Sequence, residues 1–290
     1  MPELPEVEVI KRGLSQLLPA QVVRGVVTAW DKSFPNSKDQ VDKFLINSKI
    51  TKVRRLGKVV VIDTDTSYSL IIHLKMTGQL AYQDMNTQDR FGAGHPNQSL
   101  VGELPDKSTR VIIELSGARL FFNDQRRFGW VKLVPTSEIP YIKFFKELGP
   151  EPLSSAFNEQ VFAGRVLRHR RAMIKAVLLN QRVIAGVGNI YADESLWGAK
   201  IHPASRVEDL SKAKLKKLCQ ELISVFKLSI EKGGSTDKNY IDAMGNKGSY
   251  LEFARVFRRE GLPCPRCGTT IVKIRVAGRG THICPKCQKL

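Results

Sequence analysis

The chain has 290 residues, which is long enough for two domains and a sizeable hydrophobic core. Its 46 Lys and Arg residues outnumber its 28 Asp and Glu residues, and the formal net charge is +18. Because 42% of the residues are hydrophobic, this excess indicates a folded protein that binds a polyanion, with a generally basic or ribosome-associated protein as the alternative. No apolar run reaches the roughly 18 residues of a membrane span, and the apolar core of a signal peptide is missing. We therefore expect a cytoplasmic protein without a membrane segment.

The first eight residues read MPELPEVE. Removal of Met1 would expose the secondary amine of Pro2 next to Glu3, and an α-amino group has a reference pKa of roughly 7.7–8.0. Such an amine is partly neutral near pH 7, so it can attack a sugar carbon and form an iminium, with Glu3 moving protons. The alternative is that Pro2 and Pro5 only start a helix, because proline suits the first helical turn.

One helix and several strands are predicted in the first half. Apolar residues recur at helical spacing and predict an amphipathic helix over residues 5–18. Patterns typical of β-strands follow at residues 22–27, 50–54, 59–62, 70–74, 111–115 and 118–123. Residues 84–106 are polar and contain Gly and Pro, which predicts a long surface loop. Residues 130–148 are predicted to carry the chain out of the sheet. This half is therefore predicted to be a β-sandwich-like sheet with a flanking helix.

Three places in this half carry side chains suited to chemistry. Lys58 precedes an apolar strand, where it is either an edge residue with its ammonium in water or a phosphate or acid/base group. Met76 and Phe128 stand at turns, and Arg126 accompanies Phe128. Met and Phe at such tips often belong to a small core, but beside arginine in a basic protein they suit insertion into a base stack.

The second half is predicted to be helical. Residues 148–153 read as a domain boundary, and helices are predicted at residues 158–168, 172–180 and 211–232. Gly186 and Gly188 permit tight turns, and Asn189 suits the N-cap of a further helix whose first amides would bind a phosphate. Cys219 lies on the apolar face of the last helix and is predicted to be a core residue. Residues 233–250 contain four glycines, which predicts a mobile loop.

Four of the five cysteines form two CxxC pairs near the C-terminus, Cys264 with Cys267 and Cys284 with Cys287, separated by 16 residues. In a cytoplasmic chain this spacing is typical of one structural Zn²⁺ on a β-hairpin rather than of disulfides. The two strands are predicted at residues 271–276 and 281–283. Arg279 follows the hairpin turn, and we expect it to point away from the metal towards a binding partner.

Together these motifs closely resemble the bacterial formamidopyrimidine-DNA glycosylase (Fpg) family of base-excision repair enzymes, over essentially the whole chain. The resemblance implies an α+β multidomain fold: an N-terminal β-sandwich with flanking helices (residues 1–135), a linker (136–150), a helical helix-two-turns-helix domain (151–262) and a zinc ribbon (263–290). It also implies a monomer that binds damaged double-stranded DNA in the cleft between its domains, in the cytoplasm and associated with the nucleoid.

The resemblance implies a reaction as well. Oxidised purines, chiefly 8-oxoguanine and formamidopyrimidines, would be excised, and the strand would then be cut by β- and δ-elimination. Pro2 would be the nucleophile at the sugar C1′, and Glu3 would be the general acid/base. Lys58 and Arg279 would assist elimination and contact phosphate.

DNA contacts carried over from the family form two sets. The side chains that would fill the space behind the flipped base are Met76, Arg126 and Phe128, with Arg126 facing the orphaned cytosine. Backbone phosphates or the lesion nucleotide would be held by Lys175 and Asn189, and Arg170 stands where the family has a DNA-contacting Lys. Residues 233–250 resemble the flexible lid that covers the extruded base.

The chain departs from the family pattern at several positions. Where the family usually has Lys-His-x-His, residues 107–110 read KSTR, so Ser108 stands in place of a DNA-contacting His and Arg110 would partly substitute for it. Gln125 replaces a usual Pro, and residues 257–259 read FRR instead of Tyr-Gly-Arg. These differences bear on lesion preference and affinity, not on the type of reaction.

Two alternative functions stand beside this one. An endonuclease VIII-like glycosylase would excise oxidised pyrimidines, but its usual start has Gly where this chain has Leu4. A non-catalytic damaged-DNA-binding homologue is opposed by the intact Pro2, Glu3 and Lys58.

Overall fold

The computed structural model describes residues 2–87, 90–94, 102–235 and 248–290. Residues 95–101 and 236–247, the second being most of the loop predicted at 233–250, lie outside the described residues. The chain divides into two compact units, Met1–Lys146 with Lys232–Ser249 and Glu147–Glu231 with Tyr250–Leu290. The break after Lys146 falls inside the predicted linker at 136–150, whereas the finer division into four segments stays a prediction.

The first unit begins with helix α1 (Leu4–Leu17), shifted by one residue from the predicted span. Glu3 is the N-cap, Pro5 lies in the first turn, and Glu6 completes a capping box with Glu3. The apolar face of the helix is buried, namely Leu4, Val7, Ile10 and Leu14. Burial of this face fixes the helix, and with it residues 2 and 3, against the core of the unit.

Nine strands are described in the first unit, with the short helices α2 (Lys38–Phe44) after the first strand and α3 (Lys143–Lys146) after the last. The strands are β1 (Val23–Thr28), β2 (Ile50–Leu56), β3 (Val59–Thr64), β4 (Tyr68–His73), β5 (Gly78–Asp84), β6 (Arg90–Gly94), β7 (Thr109–Leu115), β8 (Ala118–Asp124) and β9 (Trp130–Pro135). They form a five-stranded antiparallel sheet of order β1-β7-β8-β5-β6 and a four-stranded antiparallel sheet of order β2-β3-β4-β9. The fold class predicted for this half is thereby confirmed.

Two predictions about this unit are wrong. The stretch 84–106, predicted as a loop, contains β6, in which Phe91 and Ala93 are buried. Phe91 packs on Gly13 of α1, where an added Cβ would lie 2.5 Å from the Phe91 ring, so a tertiary contact stabilises a strand with weak local propensity. The chain also does not leave the sheet at residue 130, because β9 pairs with β4 from Trp130 to Pro135.

The second unit is helical, with a C-terminal hairpin. Its helices are α4 (Glu159–Val166), α5 (Ile174–Leu179), α6 (Asn189–Gly198) and α7 (Lys212–Glu231), and its hairpin joins β10 (Val272–Val276) to β11 (Arg279–Ile283). Every residue of α6 from Tyr191 to Gly198 is buried, because α7 and the hairpin both pack on this helix. Cys219 lies in the buried face of α7, as predicted.

The part of the chain that the structure describes holds no helix that is long and apolar enough to cross a membrane.

Candidate functional site

The start of α1 is a tightly hydrogen-bonded corner. The Glu3 amide donates to Glu6 Oε2 at 2.8 Å, and the Ser235 amide donates to the other oxygen, Glu6 Oε1, at 2.8 Å. Pro2, Glu3 and Glu6 are all buried. The Glu6 carboxylate therefore ties the helix start to the segment at residue 235, and residues 2 and 3 are held in one orientation.

Lys58, which was predicted to be functional, lies at the edge of the four-stranded sheet, next to one row of paired residues. Val59 pairs with His73, and His73 pairs with Trp130 on the other side. Lys58 lies in the two-residue turn just before Val59 and is buried. The Lys58 turn, the end of β4 and the start of β9 therefore lie at the same edge.

His73 has a part in this site that the sequence reasoning did not assign. Its Nδ1 accepts the Lys75 amide at 3.0 Å, so the neutral ring carries its proton on Nε2. Burial, followed by the positive charges of Lys75 and Lys58, lowers the pKa of His73 to about 3. The ring is thus a neutral N–H donor at any physiological pH. The sequence pointed to this stretch, but the ring's burial depends on strand pairing.

Two exposed turns beside this row carry the residues predicted to enter a base stack. Met76 is 38% exposed in the turn between β4 and β5, and Phe128 is 53% exposed in the turn between β8 and β9. The Arg126 guanidinium lies 4.8 Å from the centre of the Phe128 ring, a cation–π distance. Large apolar side chains held in solvent at turn tips are suited to insertion between bases.

Arg110, predicted to contact DNA, is only 7% exposed. Its Nε donates to the Asp124 carbonyl at 2.8 Å, at the base of the turn that carries Arg126. Burial, followed by repulsion from Arg127, lowers the pKa of Arg110. Ser108, at the departure from the family pattern, is also buried and donates to Asp106 Oδ1 at 2.7 Å. In this structure the Arg110 side chain stabilises the turn, and little of it is exposed for contact with DNA.

In the second unit, the tip of the hairpin is docked on the start of α6. Asn189 is the first helical residue and Gly188 is the N-cap, which corrects the predicted N-cap by one position. The Asn189 amide donates from Nδ2 to the Gly280 carbonyl at 3.1 Å. The neighbouring Arg279 is exposed. The helix start that carries the Asn189 amide thus lies next to the hairpin tip that carries Arg279, and amides and guanidinium groups are both suited to binding phosphate.

Lys175 lies beneath this hairpin and is fully buried. Its Nζ donates to Asp193 Oδ1 at 2.6 Å, to Thr281 Oγ1 at 2.7 Å and to the Gly280 carbonyl at 3.3 Å. The other Asp193 oxygen accepts the His282 amide at 2.9 Å. Lys175 therefore braces the hairpin that presents Arg279 and does not offer its ammonium to solvent, whereas Arg170 is exposed on a turn before α5.

A second buried carboxylate, which sequence reasoning missed, anchors the segment before the hairpin. The Glu194 carboxylate accepts the amides of Arg255, Val256 and Phe257 at 2.9, 2.9 and 2.8 Å. Burial raises the pKa of Glu194, and these hydrogen bonds oppose the shift. Successive amides directed at one carboxylate form an anion nest. Helix α6 therefore binds the segment before the ribbon through Glu194 and strand β11 of the ribbon through Asp193.

The four predicted cysteines come together, with their sulfur atoms within 4.8 Å of one another. Two of the sulfur–sulfur distances are 3.5 Å, near the roughly 3.8 Å edge of a tetrahedron with Zn–S bonds of about 2.3 Å. The donor set therefore fits a closed structural metal site. Arg266, between the first two cysteines, stacks 3.8 Å from the centre of the Trp197 ring and donates to the Trp197 carbonyl at 3.0 Å. The metal centre is thus attached to the end of α6.

Comparison with known proteins gives three adjacent matches. The family models are the formamidopyrimidine-DNA glycosylase N-terminal domain over residues 1–131, the formamidopyrimidine-DNA glycosylase H2TH domain over 148–240, and a zinc finger found in FPG and IleRS over 261–290. A formamidopyrimidine-DNA glycosylase of Pelotomaculum thermopropionicum is 40% identical, with 100% of each chain covered. One of Latilactobacillus sakei is 37% identical over 99% of this chain and 98% of its own.

Solved structures agree with this. A Lactococcus lactis FPG mutant in complex with a Fapy-dG containing DNA has a TM-score of 0.87 and 31% identity, with 100% of both chains covered. The wild-type Lactococcus lactis enzyme in complex with an oxidised pyrimidine containing DNA has a TM-score of 0.85 and 31% identity, with 100% of both chains covered. The domains define the class as a DNA repair glycosylase with a zinc finger. The chain belongs to the formamidopyrimidine-DNA glycosylase family, as the sequence motifs predicted.

Proposed function

We propose that this protein is a bifunctional DNA glycosylase and abasic-site lyase that excises oxidised purines, chiefly 8-oxoguanine and formamidopyrimidines, and then cuts the strand by β,δ-elimination. The observation that carries the proposal is the ordered start of α1. There Pro2 and Glu3 are held in place by the Glu6 carboxylate, which accepts amides from both Glu3 and Ser235. A nucleophile and an acid/base group that are positioned in advance supply the orientation that catalysis needs.

Pro2 is the proposed nucleophile once Met1 has been removed. Its nitrogen forms a bond to the sugar C1′, the bond from C1′ to the base breaks, and the base leaves with the bonding electrons and a proton. Glu3 supplies and accepts the protons of these steps and of the ring opening to the iminium. The iminium draws electrons from the sugar, so the 3′ and then the 5′ phosphate leave by elimination. Lys58 assists these steps, and Arg279 holds a phosphate and supports the second one.

The choice of Pro2 over Lys58 as nucleophile has a physical reason. A lysine side chain has a reference pKa of about 10.4, roughly two to three units above that of an α-amino group. Near phosphates the charged form of Lys58 is favoured. The Pro2 amine therefore offers the larger neutral fraction at neutral pH.

The remaining predicted residues bind damaged double-stranded DNA. Met76, Arg126 and Phe128 occupy the space left by the extruded base, with Arg126 facing the orphaned cytosine. Asn189, Arg279 and Arg170 hold backbone phosphates. Two residues that were predicted to contact DNA act indirectly instead. Lys175 stabilises the hairpin that carries Arg279, and Arg110 stabilises the turn that carries Arg126. We expect a monomer that works in the cytoplasm, on the nucleoid.

One structural Zn²⁺ is proposed at Cys264, Cys267, Cys284 and Cys287. When bound, the ion supplies no catalytic chemistry and cross-links the ribbon. Arg266 and Trp197 transmit that rigidity to α6, and Asn189 stands at the other end of the same helix. The metal thereby orders the phosphate contacts of the second unit.

Oxidised pyrimidines are a second candidate substrate, as for an endonuclease VIII-like enzyme. The observation that favours them is the Lactococcus lactis neighbour solved with an oxidised pyrimidine containing DNA. The altered stretch at Ser108 and Arg110 is where lesion preference would differ within the family.

Borohydride trapping tests the proposal. The protein is incubated with duplexes that carry 8-oxoguanine or an oxidised pyrimidine, and the adduct is mapped by peptide mass spectrometry. We expect an adduct on Pro2, and faster reaction with 8-oxoguanine opposite cytosine. Lys58→Ala should keep trapping at an abasic site while it slows excision, and protein that retains Met1 is the matched negative control. An adduct on Lys58, or efficient trapping with Met1 present, would overturn the mechanism.

A further inference from the structure

The two exposed turns that carry Met76 and Phe128 belong to neighbouring strands. Gly78, the first residue of β5, pairs with Asp124, the last residue of β8. The Met76 turn therefore enters β5 at the point where β8 runs into the Phe128 turn. Strand pairing alone places the bases of the two turns next to each other.

A direct side-chain bond joins the turns at that point. The Thr77 hydroxyl donates a hydrogen bond to Asp124 Oδ1. The Arg126 amide donates to both partners, at 3.1 Å to Thr77 Oγ1 and at 3.2 Å to Asp124 Oδ1. The other carboxylate oxygen, Asp124 Oδ2, accepts the Gly129 amide at 2.7 Å. One carboxylate thus holds both ends of the Phe128 turn and the last residue of the Met76 turn.

Burial makes these bonds strong. Thr77 is almost buried and Asp124 is fully buried, so water cannot replace a missing donor and the carboxylate keeps its hydrogen bonds at the full cost of desolvation. The site also leaves no room for a side chain at position 129. An added Cβ at Gly129 would lie 3.1 Å from Asp124 Oδ2 and 3.0 Å from the His73 carbonyl.

The Phe128 turn is further held from outside. Arg127 has a φ of +58°, outside the usual range for a side chain of its type, and its guanidinium lies 4.4 Å from the centre of the Trp30 ring. Arg110 donates to the Asp124 carbonyl on the strand side. Both turns are therefore fixed relative to the sheet, and Thr77 with Asp124 is the link that fixes them relative to each other.

The geometry points to a role for Thr77 and Asp124 as positioning residues that make the Met76 turn and the Arg126–Phe128 turn act as a single wedge. Neither residue touches the DNA. Because the two tips enter the base stack together, their contributions to base extrusion depend on each other. The inference rests on the proposed function, since it concerns the step in which the lesion leaves the stack.

A double-mutant cycle in two backgrounds tests the link. Single-turnover excision of 8-oxoguanine from duplex is measured for Met76→Ala, Phe128→Ala and the double variant, first with Thr77 present and then in Thr77→Val. With Thr77 present, the fold-loss of excision rate in the double variant should be about 10-fold smaller than the product of the fold-losses in the two single variants. This result is expected for groups that act as a unit. In the Thr77→Val background, the fold-loss of excision rate in the double variant should equal the product of the two single fold-losses to within about 2-fold. Thr77→Ser restores the hydroxyl and should restore the coupling.

Matched controls separate positioning from general damage. Thr109→Val makes the same chemical change in the same sheet. The Thr109 hydroxyl donates to Asn123 Oδ1 at 2.9 Å and accepts the Asp106 amide at 3.0 Å, so it is bonded to neither the Met76 turn nor the Phe128 turn. It should leave the coupling intact. Cleavage of a single-stranded abasic oligonucleotide, which needs no wedge, should stay within about 2-fold in Thr77→Val.

Amide hydrogen exchange tests the link between the two turns independently of catalysis. The Arg126 amide should exchange about 10-fold faster in Thr77→Val than in the parent protein, because one of its two acceptors is gone. Coupling that persists in Thr77→Val, equal loss in Thr109→Val, or unchanged Arg126 exchange would overturn the inference. If the parent protein excises no lesion at all, the proposed function fails, and the exchange data still decide whether the turns are linked.

Discussion

The stability of the first unit should depend on pH through His73. This ring is buried, and burial together with the charges of Lys75 and Lys58 lowers its pKa to about 3. In the unfolded chain a histidine has a reference pKa of about 6.5. Between about pH 3 and pH 6.5, His73 is therefore protonated in the unfolded state and neutral in the folded state. The stability is therefore fully present above pH 6.5 and is lost as the pH falls towards 3.

The size of the effect follows from linkage. Each pH unit in this window changes the free energy of unfolding by about 1.4 kcal/mol for one group, so a fall from pH 7 to pH 5 should cost about 2 kcal/mol. The side chain is almost fully buried, so solvent screening reduces this figure little. Protonated zinc ligands would affect the second unit at low pH, which means that the measurement must be local.

His73→Asn is the variant that isolates this effect. An Asn oxygen stands near the position of Nδ1 and keeps an acceptor for the Lys75 amide, but it does not titrate. We expect the variant to lose the pH dependence, measured as the opening free energy of β4 and β9 by hydrogen–deuterium exchange from pH 7 to pH 5. His202→Asn is the matched control, because His202 Nδ1 also accepts the amide two residues on, at 3.2 Å, and is less buried. It should change the opening of β4 and β9 by nothing measurable.

A direct titration decides the matter. The ring protons of His73, followed by NMR, should show no protonation step between pH 8 and pH 4.5. A midpoint near 6.5, or an equal pH dependence in His73→Asn and the parent protein, would refute the reasoning. In either case the ring would be charged in the folded state, and it would not act as a neutral donor.

The remaining predictions concern the second unit and its charge. Removal of zinc by a chelator, or Cys267→Ser, should abolish tight binding to an abasic duplex while the strands of the first unit stay folded. The fluorescence emission of Trp197 should shift, because Arg266 no longer stacks on the ring. Tight binding of the duplex by the chelated protein would contradict this prediction. Lys175→Met should lower the free energy of unfolding by about 3–5 kcal/mol, because it leaves the Asp193 carboxylate buried without its cation, and Asp193→Asn added to it should recover part of the loss in urea titrations. Arg279→Ala should reduce the slope of log affinity against log salt by about 0.9, the value for one phosphate contact, and an unchanged slope would remove Arg279 from the DNA interface.

Local patterns in the sequence were sufficient where a single segment decides the outcome. The amphipathic spacing and first-turn proline of α1 predicted its span to within one residue, because helix periodicity and capping are properties of neighbouring residues. The two CxxC pairs predicted a four-sulfur cluster for the same reason, since tetrahedral metal geometry constrains ligand spacing along the chain. The exposure of Met76 and Phe128 also followed from their turns.

Tertiary structure decided what depends on partners distant in sequence. Strand β6 exists because Phe91 packs on a glycine of α1 about eighty residues away. Lys175, Arg110 and His73 are all basic side chains in a basic protein, and composition predicts that such groups face solvent or DNA. Burial against Asp193, the Asp124 carbonyl and two lysines gives them three different roles, as a buried brace, a turn anchor and a neutral donor. The protonation and reach of an ionisable group are set by the dielectric and charges around it, and these surroundings exist only once the chain has folded.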